Sequence, residues 1–207
     1  MDYSSKLGEL NKKHGLVICG KQGGANETAD DDKRQDEIDS QRYFSTLKHR
    51  VGKSGRGYVK EIVKWFGLWE HPLETEESKI TDFEKSIIGI EWLDGHAKIT
   101  PHSAKDFAEN SERILGLLKG LEPKMLFFFG ANMFDALSMI KPQAEEVLGK
   151  ALGEPEKVGK AVFQKFENCQ VIALPHTAST DASHSFIESL KPKIKPLIDE
   201  YRKSKGV

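Results

Sequence analysis

The chain has 207 residues with 31 basic and 32 acidic side chains, a formal net charge of −1, and two cysteines. That length is enough for one domain to fold without disulfide staples, and the balanced charge gives no global pull towards nucleic acid or an anionic surface. No CxxC pair stands in the chain, which excludes a zinc ribbon or a cysteine-held iron–sulfur cluster; no metal or other cofactor is expected, and with no run of about 18 apolar residues and a polar start, the chain reads as cytoplasmic, without a membrane span.

Residues 1–14 are polar and read as a loose lead-in to a single domain covering 1–207. Leu16–Cys19 is an apolar run that leads into Gly20-Lys-Gln-Gly-Gly24. A run of that length bounded by turn residues predicts a strand buried on both faces of a parallel sheet. The charged segment 27–39, with Asp30, Asp31 and Asp32 together, predicts an exposed loop or helix start. Tyr43, Phe44 and Leu47 have weak helical spacing, and Lys53-Ser-Gly-Arg-Gly57 reads as a flexible basic turn. Tyr58, Ile62, Val63, Trp65 and Phe66 predict an amphipathic helix closed by Gly67. Leu73–Glu84 reads as an acidic loop and Ser86–Trp92 as a second strand.

Thr100, Pro101 and Ser103 supply helix-start chemistry for one helix whose face carries Phe107, Ile114, Leu115, Leu118 and Leu121 and which Pro123 ends. Lys124–Gly130 predicts a third strand, with Phe127, Phe128 and Phe129 in the core, and Ala131–Met139 a helix after it. A polar stretch with Pro142, Gly149, Gly153 and Pro155 leads to a strand at Val171–Leu174. The end of the chain is helical, broken or kinked at Pro192 and Pro196. Cys19 and Cys169 fall near strand ends and read as reduced core thiols. Strands alternating with helices predict an α/β fold, a three-layer α/β/α sandwich on a mostly parallel sheet.

Sheets of this kind bind ligands beyond the carboxyl ends of their strands, which directs attention to two loops. Glycines in Gly20–Gly24 let backbone amides approach a ligand, or simply make a tight turn. The run Gln170–Pro175 ends in His176-Thr-Ala-Ser179. A histidine there can donate a hydrogen bond to charge developing on a substrate, or cap its own loop, while Thr177 and Ser179 suit phosphate contacts. If both runs are strands, Gln22 and His176 face one pocket from opposite ends of the chain. Gly52-Lys53-Ser54 lacks the glycine that a P-loop needs five positions earlier, where Leu47 stands. What remains for Lys53 and Ser54 is a single phosphate contact or a solvated turn. His184 reads as a surface or packing histidine, and Asp30–Asp32 as a solvated loop or a cluster that binds a metal or activates water.

The order of these parts resembles the uracil-DNA glycosylase superfamily from about Leu16 to Tyr201. Gly20-Lys-Gln-Gly-Gly24 is similar to that family's first loop, G-x-x-P-G or G-E-A-P-G. Arg50-Val-Gly-Lys-Ser-Gly55 and the helix after it resemble F-V-G-R-S-G and its helix, and Pro123–Gly130 resembles the strand P-K-V-I-V-x-L-G. His176–Ser179 stands where the family carries H-P-S-x. The resemblance implies a monomer that takes an extruded base from double- or single-stranded DNA and hydrolyses its N-glycosidic bond without a metal, as in base excision. It implies that His176 hydrogen-bonds the departing base anion and that Gln22 positions water. It also implies a pocket lined by Gly20, Lys21, Gly23 and Gly24, and phosphates held by Lys53, Ser54, Thr177 and Ser179.

The chain departs from the family's pattern at several of these positions. Lys21 replaces the acid of G-E-A-P-G, Gly23 replaces the proline, and the neutral amide of Gln22 orients water but takes no proton from it, which leaves Asp30 as the substitute acid. Arg50 falls where the base-stacking phenylalanine stands, with Phe44 as the other stacking candidate. Glu91 takes the place of a uracil-reading asparagine and would accept from an exocyclic amine. The alternative expectation is a glycosylase-like fold that binds nucleic acid or a protein partner without chemistry.

Overall fold

The structure, a computed structural model, describes residues 5–21, 41–49, 55–93 and 102–207. Six strands form one sheet in the order β2-β1-β3-β6-β5-β4: β1 (Leu16–Gly20), β2 (Ile87–Glu91), β3 (Met125–Phe129), β4 (Glu156–Val158), β5 (Ala161–Lys165) and β6 (Gln170–Leu174). The first four in that order run parallel, while β5 and β4 add an antiparallel edge. The central strands are almost wholly apolar because both faces of the sheet are covered, with Gln170 at the start of β6 as a buried polar exception. Leu16, Ile18, Phe127, Phe129, Ile172 and Leu174 enter one core with helices α1 (Gly55–Leu68), α2 (Asp82–Lys85), α7 (His184–Ser189) and α8 (Lys191–Lys205). Val17, Cys19, Leu126, Phe128, Val171 and Ala173 enter the other with α3 (Ala104–Glu109), α4 (Ser111–Leu121), α5 (Ala131–Met139) and α6 (Lys141–Leu148). This is the expected three-layer sandwich, with both cysteines as buried free thiols. Among the described residues no helix is long and apolar enough to cross a membrane.

Several elements differ from the sequence reading, each for a local reason. Helix α1 runs through Gly67 to Leu68, and the left-handed residue that turns the chain is Glu70, with φ of 62°. The expected single helix over 103–121 is two, α3 and α4, which meet at Asn110, whose side-chain amide donates to the Asp106 carbonyl. Ser103 does cap α3, in a reciprocal box with Asp106. The acidic 73–84 segment holds a 3-10 turn at Glu77–Lys79 and then α2. Glu84 in it is buried and accepts from the backbone amides of Glu74 and Thr81 and from the Thr81 hydroxyl. The polar stretch after Ile140 contains α6, with Pro142 in its first turn where a missing amide costs nothing. The hairpin β4–β5 follows, turning at the left-handed Gly159. Pro192 also lies in a first turn, that of α8, and α8 continues past Pro196.

The lead-in is not loose where it is described. The Asn11 side-chain amide donates to the carbonyls of Ile87 and Lys6 and accepts from the Gly8 amide, and Ser5 Oγ accepts from the amide of Gly89. Two of these bonds, to the Ile87 carbonyl and from the Gly89 amide, satisfy groups on the outer edge of β2 that no neighbouring strand pairs.

Candidate active site

The order of the strands creates a crevice at one place. The step from β1 to β2 carries α1 over one face; the step from β2 to β3 travels back past β1 with α3 and α4 on the other face, and α5 follows there. A chain that reverses direction while keeping one crossover hand must change faces in this way. Beyond the carboxyl ends of β1 and β3 the connections diverge, leaving the crevice in which such sheets bind ligands.

Lys21 is the first residue past β1. Its carbonyl accepts from the Leu93 amide at 3.0 Å, and that of Gly20 accepts from Trp92 at 2.9 Å, so the ends of β1 and β2 are held together. The Lys21 side chain turns the other way, over β3. A Cβ on Gly130 would stand only 2.5 Å from Lys21 Cε, and Gly130 has φ of 157°, so glycine serves both the path of the lysine and the backbone. The Gly130 amide donates to the Leu174 carbonyl at the end of β6, from which Pro175 leads into His176. Helix α5 starts at Ala131 without a side-chain cap and sets its positive end beside this corner. From α1, the Tyr58 ring meets Phe129 edge-on (5.9 Å, 84°) and stacks on His176 (6.3 Å, 26°), while its hydroxyl lies against Gly20, 3.1 Å from where a Cβ would be.

The protonation states follow from these surroundings. Ala178 N–H donates to His176 Nδ1 at 3.2 Å. An amide only donates, so Nδ1 carries the lone pair and the neutral ring keeps its proton on Nε2. Burial first, and then the Lys21 ammonium, hold the imidazole below its ordinary pKa and favour that neutral form. Burial also lowers the Lys21 pKa. It pushes the Tyr58 phenol well up, with Cys19 and the Glu91 carboxylate adding to the effect, so Tyr58 stays an uncharged hydroxyl. The corner therefore combines a lysine head, an imidazole with its proton on Nε2 and a buried phenol O–H, three donors of a kind that suits an acceptor or an anion.

Of the expected site residues, Gly20, Lys21 and His176 come together here. Glu91, at the end of β2, is near enough for its charge to act on Tyr58, and its carbonyl accepts from Arg113 at 2.7 Å. Thr177 is half-buried in the turn after His176, and Ser179 Oγ accepts from the Asp181 amide. Phe44 is a correction. It is 2% exposed in the core, in a 3-10 turn (Phe44–His49), so neither face of its ring is open to stack on a base. His184 is exposed and 3.0 Å from Glu61. Gln22, Gly23, Gly24, Asp30, Arg50, Lys53 and Ser54 lie outside the described residues, and so does the expected meeting of Gln22 with His176; among the described residues the loop after β1 reaches this corner through Lys21.

Beside the corner, a cleft of about 610 Å³ opens past β2, lined by Trp92, Leu93, His102, Asp106, Asn110 and Arg113 among others. Two bonds tie its wall to the corner: Arg113 to the Glu91 carbonyl, and Asn132, next to Gly130, to the His102 carbonyl at 2.5 Å. The sequence reading missed Tyr58, Gly130, Asn132 and Arg113 as parts of this site. For Tyr58 a signal existed, a phenol on the apolar face of α1; for the others it was tertiary. No family model matches the chain, and no curated protein matches it.

Proposed function

We propose that the protein is a DNA glycosylase of divergent specificity that hydrolyses the N-glycosidic bond of a damaged, deaminated or modified base. One observation carries the reading: Lys21 and His176, from opposite ends of the chain, meet at the carboxyl ends of β1 and β6, and the Ala178 amide on Nδ1 of His176 leaves the ring's proton on Nε2. Cleavage of the bond leaves its electron pair on the base and positive charge on the sugar; water then adds to the sugar carbon, and the proton it releases neutralises the base anion, giving the free base and the sugar hydroxyl. Nε2–H of His176 donates to the base anion as it forms, and the Lys21 ammonium stabilises the same negative charge. Lys21 Cε lies against Gly130, on the side of β1 where His176 stands, and in this reading its ammonium serves the leaving group rather than the sugar. Gln22 and Asp30, assigned to water, lie outside the described residues, so the reading stands on departure of the base. The enzyme acts as a monomer in the cytoplasm, a reducing compartment that suits its two buried free thiols.

The test is a panel of oligonucleotides, single- and double-stranded, each with one modified base, incubated and then cleaved with alkali. Wild-type protein is expected to cut at least one member, and His176→Ala to lose about a hundredfold in rate or more, the scale of one transition-state donor. An unchanged rate in that variant removes His176 from the mechanism. Binding that weakens with salt, without cleavage of any member, would instead favour a nucleic-acid-binding protein that has lost the chemistry.

A further inference from the structure

Three buried side-chain polar atoms have no hydrogen-bond partner among the described residues: Ser45 Oγ, Trp65 Nε1 and the Tyr58 hydroxyl. A buried hydroxyl without an acceptor is a cost that folding does not recover, and such a group calls for a reason. Of the three, Tyr58 is the one that stacks on His176 and lies against Gly20. Its ring cannot turn away freely, being held between Phe129 on its edge and His176 on its face. Its hydroxyl ends where a side chain at position 20 would begin, and glycine there leaves that space to the phenol.

We infer that the Tyr58 hydroxyl is a specificity-determining hydrogen-bond donor of this crevice, kept for an acceptor atom, a carbonyl oxygen or ring nitrogen, on a planar heterocyclic ligand. The inference rests on the glycosylase reading for its ligand class, a nucleobase. Burial and the nearby Glu91 carboxylate keep the phenol protonated at physiological pH, so it does not become an acceptor-only phenolate. The hydroxyl stands at a fixed place relative to His176, so a base whose acceptor meets it is oriented before its bond breaks. A flat ring without acceptors would leave the hydroxyl unpaired. That difference is the discrimination the site offers.

The experiment compares wild type with Tyr58→Phe, using free uracil, free hypoxanthine and indole, a flat bicycle with no ring-nitrogen or carbonyl acceptor, as probes in calorimetric titrations. The variant is expected to lose about tenfold or more in affinity for the bases that wild type binds, to keep its affinity for indole, and to melt no lower than wild type, because it sheds an unsatisfied hydroxyl. Equal base affinity in the two proteins overturns the inference. So does the failure of wild type to bind either base. Base affinity that depends on Tyr58, in a protein that cuts no oligonucleotide, supports the inference while overturning the glycosylase reading.

Discussion

At His176 two neighbours set one proton. The Ala178 amide holds the lone pair on Nδ1, and the Lys21 ammonium makes a second positive charge beside it costly. Lys21→Met removes that charge without shortening the chain much, so protonation of His176 becomes easier and its pKa rises towards the ordinary value, burial alone still holding it below. Nitrogen-detected NMR titration of the imidazole reads both points: Nε2 protonated in the neutral ring, and a midpoint higher in the variant than in wild type. A midpoint that does not move means that the two side chains are not neighbours. His176 was legible because it ends an apolar run. Its coupling to Lys21 was not, because the lysine reaches it across Gly130, a contact made by the absence of a side chain more than a hundred residues away. Tyr58 was legible only as apolar: helical spacing reports which face turns inward, not where the polar tip of a half-apolar ring comes to rest.

Among the elements, the edge of β2 depends most on a distant segment. Asn11 is fully buried, with two side-chain donor bonds of 2.9 Å to Ile87 and Lys6 carbonyls and one acceptor bond to Gly8. Asn11→Ala leaves the Ile87 carbonyl buried without its partner, which is expected to lower stability by about 2–3 kcal/mol. In urea unfolding the midpoint should fall with an unchanged slope. A loss under about 0.5 kcal/mol, the scale of a neutral surface change, would mean that water replaces the amide without cost. The continuous apolar runs made β1, β2, β3 and β6 readable, since burial on both faces leaves few other conformations for such segments. The lead-in showed no pattern because its partner on β2 is 76 positions away. Strands β4 and β5 were hidden by shortness and by a polar outer edge, with Val162 and Phe163 as their only large apolar pair.

For the molecule as a whole, α/β alternation was readable from the order of apolar runs, but a pH response requires the packed structure. His71 is 3% exposed, set among the Lys195 carbonyl (3.4 Å), the Asp199 carboxylate (3.4 Å) and the Arg202 guanidinium (3.5 Å), which itself lies 4.5 Å from the Phe83 ring centre. Burial lowers its pKa, outweighing the pull of the Lys195 carbonyl and Asp199, and burial lowers that of His176 as well. The unfolded chain therefore takes up protons at these two positions at a higher pH than the folded one. Their contribution is fully present above the ordinary value of about 6.5 and is lost as pH falls below it, through the depressed folded values. A second loss belongs to the carboxyls held low by hydrogen-bonding or cationic neighbours, Glu61, Glu70, Asp106, Glu122 and Asp199, and it comes only below the ordinary carboxylate range. Melting temperature is thus expected to fall in two steps on acidification, the first beginning near pH 6.5. His71→Phe, which replaces a ring that must stay neutral with one that cannot charge, should reduce the slope of the first step in melts taken between pH 8 and pH 5. A flat profile over that range in wild type, or an equal slope in the variant, would show that protonation of the buried imidazole is not what limits the fold in mild acid.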